Sequence, residues 1–136
     1  MDLVNSSMCN KCTAGVEQTS LHMFYHCEYS KPIFMWILRC LLYLCGFKPQ
    51  SPICFLYFDN VYQNSKQRNI CNVFLYIYII TMWRTRKENL RIGNLKYIVL
   101  KRLHEYLDFI KHMPTQRFDK QSKDLENIET EYLINL

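Results

Sequence analysis

Four side chains near the start of the chain, Cys9, Cys12, His22 and Cys27, follow the spacing C-x2-C-x9-H-x4-C, and this restricts the fold more than any other feature. Zinc takes four sulfur or nitrogen donors at tetrahedral corners, with sulfur about 2.3 Å and imidazole nitrogen about 2.0 Å from the ion. Two cysteines separated by two residues deliver both sulfurs from one tight turn. His22 and Cys27, on and just past a short helix, close the other two corners. Four protein ligands leave no open position, so the expected zinc is structural rather than hydrolytic. His26 is a rival imidazole, but its adjacency to Cys27 makes shared coordination awkward. The plain alternative is four ordinary buried residues in a cysteine-containing chain.

Zinc alone cannot order residues 9–27, because its binding free energy falls short of the backbone entropy lost. The module must therefore also dock on apolar neighbours such as Leu21, Phe24 and the helix carrying Trp36. With 136 residues, 49% of them hydrophobic, and only 3 Gly and 4 Pro, the chain suits one mainly helical domain.

Helix signals are placed accordingly. Thr19 or Ser20 can cap a short helix ending near Cys27. Ser30 and Pro32 open a second helix, which Gly46 ends. It is apolar nearly all round and belongs at the centre of the fold. Residues 48–65 read as a connection with a short extended piece at 53–58. Residues 69–92 pass without Gly or Pro and form a third helix, stopped by Gly93 and bearing cations at its C-terminus. Asn94 caps a fourth, with Leu95, Ile98, Val99, Arg102, Leu103, Tyr106 and Ile110 as its stripe, ended by Pro114. Residues 122–136 suggest a frayed helix. The expected fold class is mainly α: a small zinc-stabilised N-terminal module packed on a helical bundle, with a polar C-terminal tail. The divisions are 1–48, zinc module and following apolar helix; 49–65, connection; 66–113, two-helix basic region; and 114–136, polar acidic tail.

The formal net charge of +5 is unevenly spread. Nine Lys/Arg between residues 66 and 102 face one acid, Glu88, whereas Asp119, Asp124, Glu126, Glu129 and Glu131 dominate the end. This pattern suggests a polyanion-facing surface followed by a solvated tail. Arg84, Arg86, Lys87, Arg91, Lys96, Lys101 and Arg102 are the candidate phosphate contacts, which would bind RNA or DNA with steep salt dependence. Trp83, Tyr76 or Tyr78 can add stacking on single-stranded bases. A solvated helix face with aromatic core packing is the competing account.

Seven cysteines, an odd count, and the lack of a signal-peptide pattern disfavour a secreted disulfide framework. Reduced thiols in an intracellular compartment, cytoplasmic or nuclear, are expected. Cys40, Cys45, Cys54 and Cys71 have no ligand spacing and read as small buried hydrophobes. His104 and His112 read as parts of an exposed polar face. The apolar stretches 32–45 and 70–83 are shorter than the roughly 18 to 20 residues a bilayer span requires, so no membrane crossing is expected. No phosphate loop, nucleophile elbow or paired-carboxylate motif points to an enzyme or a small-molecule substrate.

The run Cys9-x2-Cys12, Glu17, Thr19, His22-Met23-Phe24, Cys27 and then Trp36 resembles the reverse transcriptase zinc-binding domain of non-LTR (LINE-type) retrotransposons. Trp83-Arg84-Thr85-Arg86 also looks like the W-x-x-R element found downstream in such proteins. The sequence departs from the pattern in the Gln18 that separates Glu17 from Thr19, and it lacks a Pro after Cys27. The resemblance covers residues 9–89. It implies a non-catalytic, nucleic-acid-associated accessory module that accompanies a polymerase domain whose own motifs this chain lacks. A helical interaction module completed by a partner or by that polymerase, and a small membrane-associated protein, are the competing readings.

Overall fold

The computed structural model describes residues 19–58, 60–86, 88, 90–112, 124–125, 128 and 130–136. Among the described residues the helical elements run in this order: α1, a π-helical turn at His22–His26; α2, Lys31–Cys45; α3, Pro52–Leu56; α4, Ser65–Thr85; α5, Ile92–Lys111; and α6, Thr130–Leu133. No strand occurs among the described residues. The architecture is mainly α, with α2, α4 and α5 in mutual contact and α1 resting on α2, α3 and α4.

In α2, Pro32 lies in the first turn, where a missing N–H costs nothing. Gly46 ends the helix in the left-handed region at φ 68°, its N–H donating to Leu42 O at 3.0 Å. Ile33, Phe34, Trp36, Ile37, Cys40 and Leu41 form the buried stripe. Met35, Leu42 and Tyr43 are exposed, so α2 is not buried all round as its composition suggested. That position belongs to α4, which packs on α1, α2 and α5 and buries side chains around most of its circumference.

Helix α4 begins at Ser65, not near Asn69, because Asn64 caps it: the Asn64 side chain accepts from Gln67 N–H at 2.8 Å. Gln67 Oε1 in turn accepts from Gln63 N–H at 2.9 Å. The helix ends at Thr85, well before Gly93. The Thr85 hydroxyl, buried, donates back to Thr81 O at 2.8 Å in the last turn. Arg91, not Asn94, is the N-cap of α5, and Gly93 lies inside its first turn. The buried line of α5 is Leu95, Val99, Leu103, Leu107 and Ile110. The helix closes at His112, and Pro114 lies outside the described residues.

Two further expectations are corrected. Residues 53–58 are not extended: Pro52 starts the short helix α3, which places Phe55 against Phe34 and Phe47, with ring centroids at 6.1 and 5.4 Å. Packing of that ring outweighs the strand-like composition. Nor is the end of the chain a solvated tail. Leu125 and Leu133 are fully buried, and Asn69 Nδ2 donates to Asp124 Oδ2 at 2.7 Å. Among the described residues, no helix is long and apolar enough to cross a membrane.

Candidate metal centre and nucleic-acid interface

The segment that carries His22 and Cys27 starts with a cap. Thr19 Oγ1 accepts from His22 N–H at 3.1 Å, as the hydroxyl at that position suggested. The chain then takes π rather than α geometry, and Cys27 N–H donates to His22 O at 2.8 Å, closing a turn between residues i and i+5. In an α-helix of 3.6 residues per turn, a residue five positions on points about 140° away from its starting partner. The π turn instead ties the backbones of His22 and Cys27 directly together through that hydrogen bond. This is the backbone solution that an H-x4-C spacing needs if both side chains are to approach one point.

Cys27 is also the joint to α2. Its carbonyl accepts from Ser30 N–H at 3.1 Å, Lys31 N–H at 2.9 Å and Ser30 Oγ at 3.3 Å. Ser30 therefore spends its hydroxyl on Cys27 rather than on capping α2. Cys27 and His22 are both buried, whereas His26 is exposed with its ring against Tyr25. The turn is anchored from the other side by Tyr78, whose hydroxyl donates to Phe24 O at 2.6 Å while the Phe24 ring meets it edge-on at 6.3 Å. Burial pushes the Tyr78 phenol well above its ordinary range, so it remains a donor. Tyr25 packs edge-on against Phe34 at 5.8 Å.

An imidazole and a thiol, both buried and one π turn apart, are donors that suit zinc. The other two expected ligands, Cys9 and Cys12, lie outside the described residues. Among the described residues there is no group of three or more His, Cys, Asp or Glu that could hold a metal ion.

The basic residues separate into two kinds. Arg84 is exposed on the last turn of α4, and the Arg86 guanidinium lies 4.2 Å above the ring of Trp83, itself 53% exposed. The W-x-x-R spacing thus has a physical reading: three residues apart at a helix end, the ring and the guanidinium stack. Arg91 is exposed at the start of α5, so Arg84 and Arg86 at the end of α4 and Arg91 at the start of α5 flank the connection between the two helices. Arg91 stands at a helix N-terminus, where its charge opposes the dipole, and not at the C-terminus expected for it.

Lys101 is exposed and Arg102 half-buried, about 15 Å further along α5 from Arg91 at the helical rise per residue. Lys96 is diverted inward: its ammonium sits 5.5 Å from the Trp36 ring and donates to Ile134 O at 3.2 Å. Lys87 lies outside the described residues. Of the three aromatics considered for stacking, Trp83 and Tyr76 are exposed and Tyr78 is fully buried.

Among the remaining candidates, Cys40 and Cys71 are buried, but Cys45 is half-buried and Cys54 exposed, so the four cysteines are not uniformly core. His104 and His112 are exposed, and His112 Nδ1–H donates to Asp108 O at 2.8 Å. No protein-family model matches the chain, and no curated protein or solved structure is significantly similar to it.

Proposed function

We propose that the chain is a non-catalytic, structural-zinc accessory module of the kind found beside the polymerase in LINE-type reverse transcriptases, where it helps hold RNA or DNA. The observation that carries this reading is the π turn that joins His22 to Cys27, both of them buried. Both are donor types that suit zinc and stand at the H-x4-C positions of the C-x2-C-x9-H-x4-C spacing. Zinc bound by Cys9, Cys12, His22 and Cys27 would supply a fixed cross-link between the N-terminal segment and the start of α2. The exposed Trp83–Arg86 stack, with Arg84 and Arg91 flanking the same connection, supports a phosphate-and-base contact surface.

Elemental analysis of the purified chain tests the first half, with one zinc per chain expected; a metal-free chain with the same helicity overturns it. Binding of short RNA and DNA across a salt series tests the second half, and a flat salt response overturns it.

One observation favours a second reading, a helical interaction module. Met35, Leu42 and Tyr43 are spaced i, i+7 and i+8 on α2 and are all exposed, which leaves an apolar strip that a partner or an adjoining polymerase domain would cover.

A further inference from the structure

One face of α4 stays outward along the helix. At 3.6 residues per turn, Arg68, Asn72, Tyr76, Trp83 and Arg86 fall within an arc of about 80°, while buried Ile70, Phe74, Ile77 and Thr81 lie on the opposite side. Tyr76 and Trp83, two turns apart, are large aromatic residues left more than half exposed. A cation stands at each end of the line. Arg86 lies over the Trp83 ring, and Arg68 is exposed near the helix start, about 27 Å away at the helical rise per residue. Arg68 stands where a cation opposes the helix dipole, and among the described residues no carboxylate pairs with it. Neither the dipole nor a described ion pair accounts for that charge.

The Arg68 end of this face opens into a cavity of about 590 Å³, lined by Phe58, Asn60, Tyr62 and Asn72 as well as Arg68. That volume suits a small planar ligand. Tyr62 organises the wall: its hydroxyl accepts from Asn60 Nδ2 at 3.3 Å and donates to Asn72 Oδ1 at 3.5 Å. The opposite ends of the two amides, one acceptor and one donor, remain for a ligand edge. The Phe58 ring beside them is half exposed, on a backbone held at φ 60°. Rings to stack on, amides to read a base edge and one cation for phosphate are the features that recognise a nucleotide unpaired from any complement.

We propose that the outward face of α4 is a track for a single strand of nucleic acid, running from the Trp83–Arg86 stack across Tyr76 and placing one nucleotide in the cavity beside Arg68, Tyr62 and Asn72. This rests on the reading that the chain binds RNA or DNA and extends the contact surface to the far end of the helix. The edge of the track is marked by Asn69, about 100° round from Arg68, whose amide holds Asp124 at 2.7 Å.

The test uses the zinc-loaded full chain with fluorescein-labelled oligouridine and oligodeoxyuridine of roughly 2 to 12 nucleotides, read by anisotropy across a salt series. In at least one of the two series affinity should climb with length and then level off once the face is covered, and that series identifies the sugar. Arg68→Ala should weaken the longest strand about fivefold or more and shallow the log affinity against log salt slope by about 1. Tyr76→Ala should weaken it as much with the slope unchanged. Lys66→Ala, the same charge on the same helix but about 160° round from Arg68, should change neither. 4-Thiouridine placed at each strand end in turn should cross-link to Phe58 or Tyr62 from one end only. Binding that needs Trp83 and Arg86 but is indifferent to Arg68 and Tyr76 overturns the track and leaves the parent reading intact, whereas no binding by any strand overturns both. Equal losses from Lys66→Ala and Arg68→Ala, or equally tight binding of a fully paired duplex, also overturn the track.

Discussion

The indole Nε1 of Trp36 donates to the carbonyl oxygen of Leu133 at 2.7 Å, joining positions 97 apart in the chain by a buried hydrogen bond. Two cations complete the fastening: Arg39 Nε donates to Leu136 O at 2.8 Å and Lys96 to Ile134 O at 3.2 Å. Carbonyls at the end of a short helix have no intrahelical partners, and these three side chains supply them. The last residues therefore form part of the fold. Trp36→Phe keeps the ring but strands the Leu133 carbonyl, and a loss of about 1 to 3 kcal/mol is expected. Leu133→Ala should cost about 2 to 5 kcal/mol through the cavity it leaves. Urea melts followed by circular dichroism read both; unchanged midpoints would mean that the C-terminal segment does not dock.

A sharper test of helix placement separates two asparagines. Asn64→Ala removes the cap of α4 and should destabilise by about 1 kcal/mol, whereas Asn94→Ala, inside the first turn of α5, should change little or raise helicity slightly. Thermal melts of the two variants decide the matter, and the reverse ranking would contradict the assigned starts.

What could be read from the residues alone follows a physical division. The start and stop of α2 were legible because Pro32 and Gly46 act through their own backbones. Most of the buried line of α5 (Leu95, Val99, Leu103 and Ile110) was legible because a 3.6-residue period shows in the order of apolar side chains, but Leu107 was missed, and Ile98, Arg102 and Tyr106 are only half-buried. The start of α4 was missed although its signal was present, since Asn64 and Gln67 sit in a polar stretch that also reads as loop. The docking of Leu133 on Trp36 left no local mark, because a tertiary contact between positions far apart in the chain sets it. The H-x4-C spacing was visible, but the π turn that reconciles it with helical geometry was not, since a single inserted residue has no period of its own.

Alkaline pH offers another measurement. Burial pushes the Cys40 thiol up to about 12, with Lys96 and Arg39 opposing that shift only in part. A group whose folded pKa is raised favours the folded state fully below its unfolded pKa, and that contribution disappears as pH climbs through the folded value. Stability should accordingly decline from about pH 9 towards 12, the window between an ordinary thiol and Cys40. Cys40→Ala should flatten this limb of a melting-temperature profile, even though the cavity lowers the whole curve. An alkaline slope identical to that of the unaltered chain would discount Cys40.

For the metal centre, burial separates the two histidines of α1. His22→Ala and Cys27→Ser should each remove most of the bound zinc and lower the melting temperature, while His26→Ala, at an exposed position, should retain one ion per chain. Zinc content measured after gel filtration distinguishes them. Retention by His22→Ala with loss in His26→Ala would transfer the ligand role to the neighbouring imidazole.

The nucleic-acid surface is best tested by setting the Trp83–Arg86 stack against a cation already engaged by the rest of the fold. Arg86→Ala and Trp83→Ala dismantle the exposed stack, and each should weaken binding to single-stranded RNA or DNA at low salt. Arg86→Ala should also shallow the dependence of log affinity on log salt by about 1 if it contacts one phosphate. Trp83→Ala should leave that slope nearly unchanged while lowering affinity by roughly 1 to 3 kcal/mol, the worth of one stacked base. Lys96 has the same formal charge as Arg86, but its ammonium is occupied by the Trp36 ring and the Ile134 carbonyl. Lys96→Met should thus lower the melting temperature yet spare both affinity and slope. A uniform effect of all basic substitutions, Lys96 included, would indicate attraction by net charge rather than a surface organised around Trp83 and Arg86.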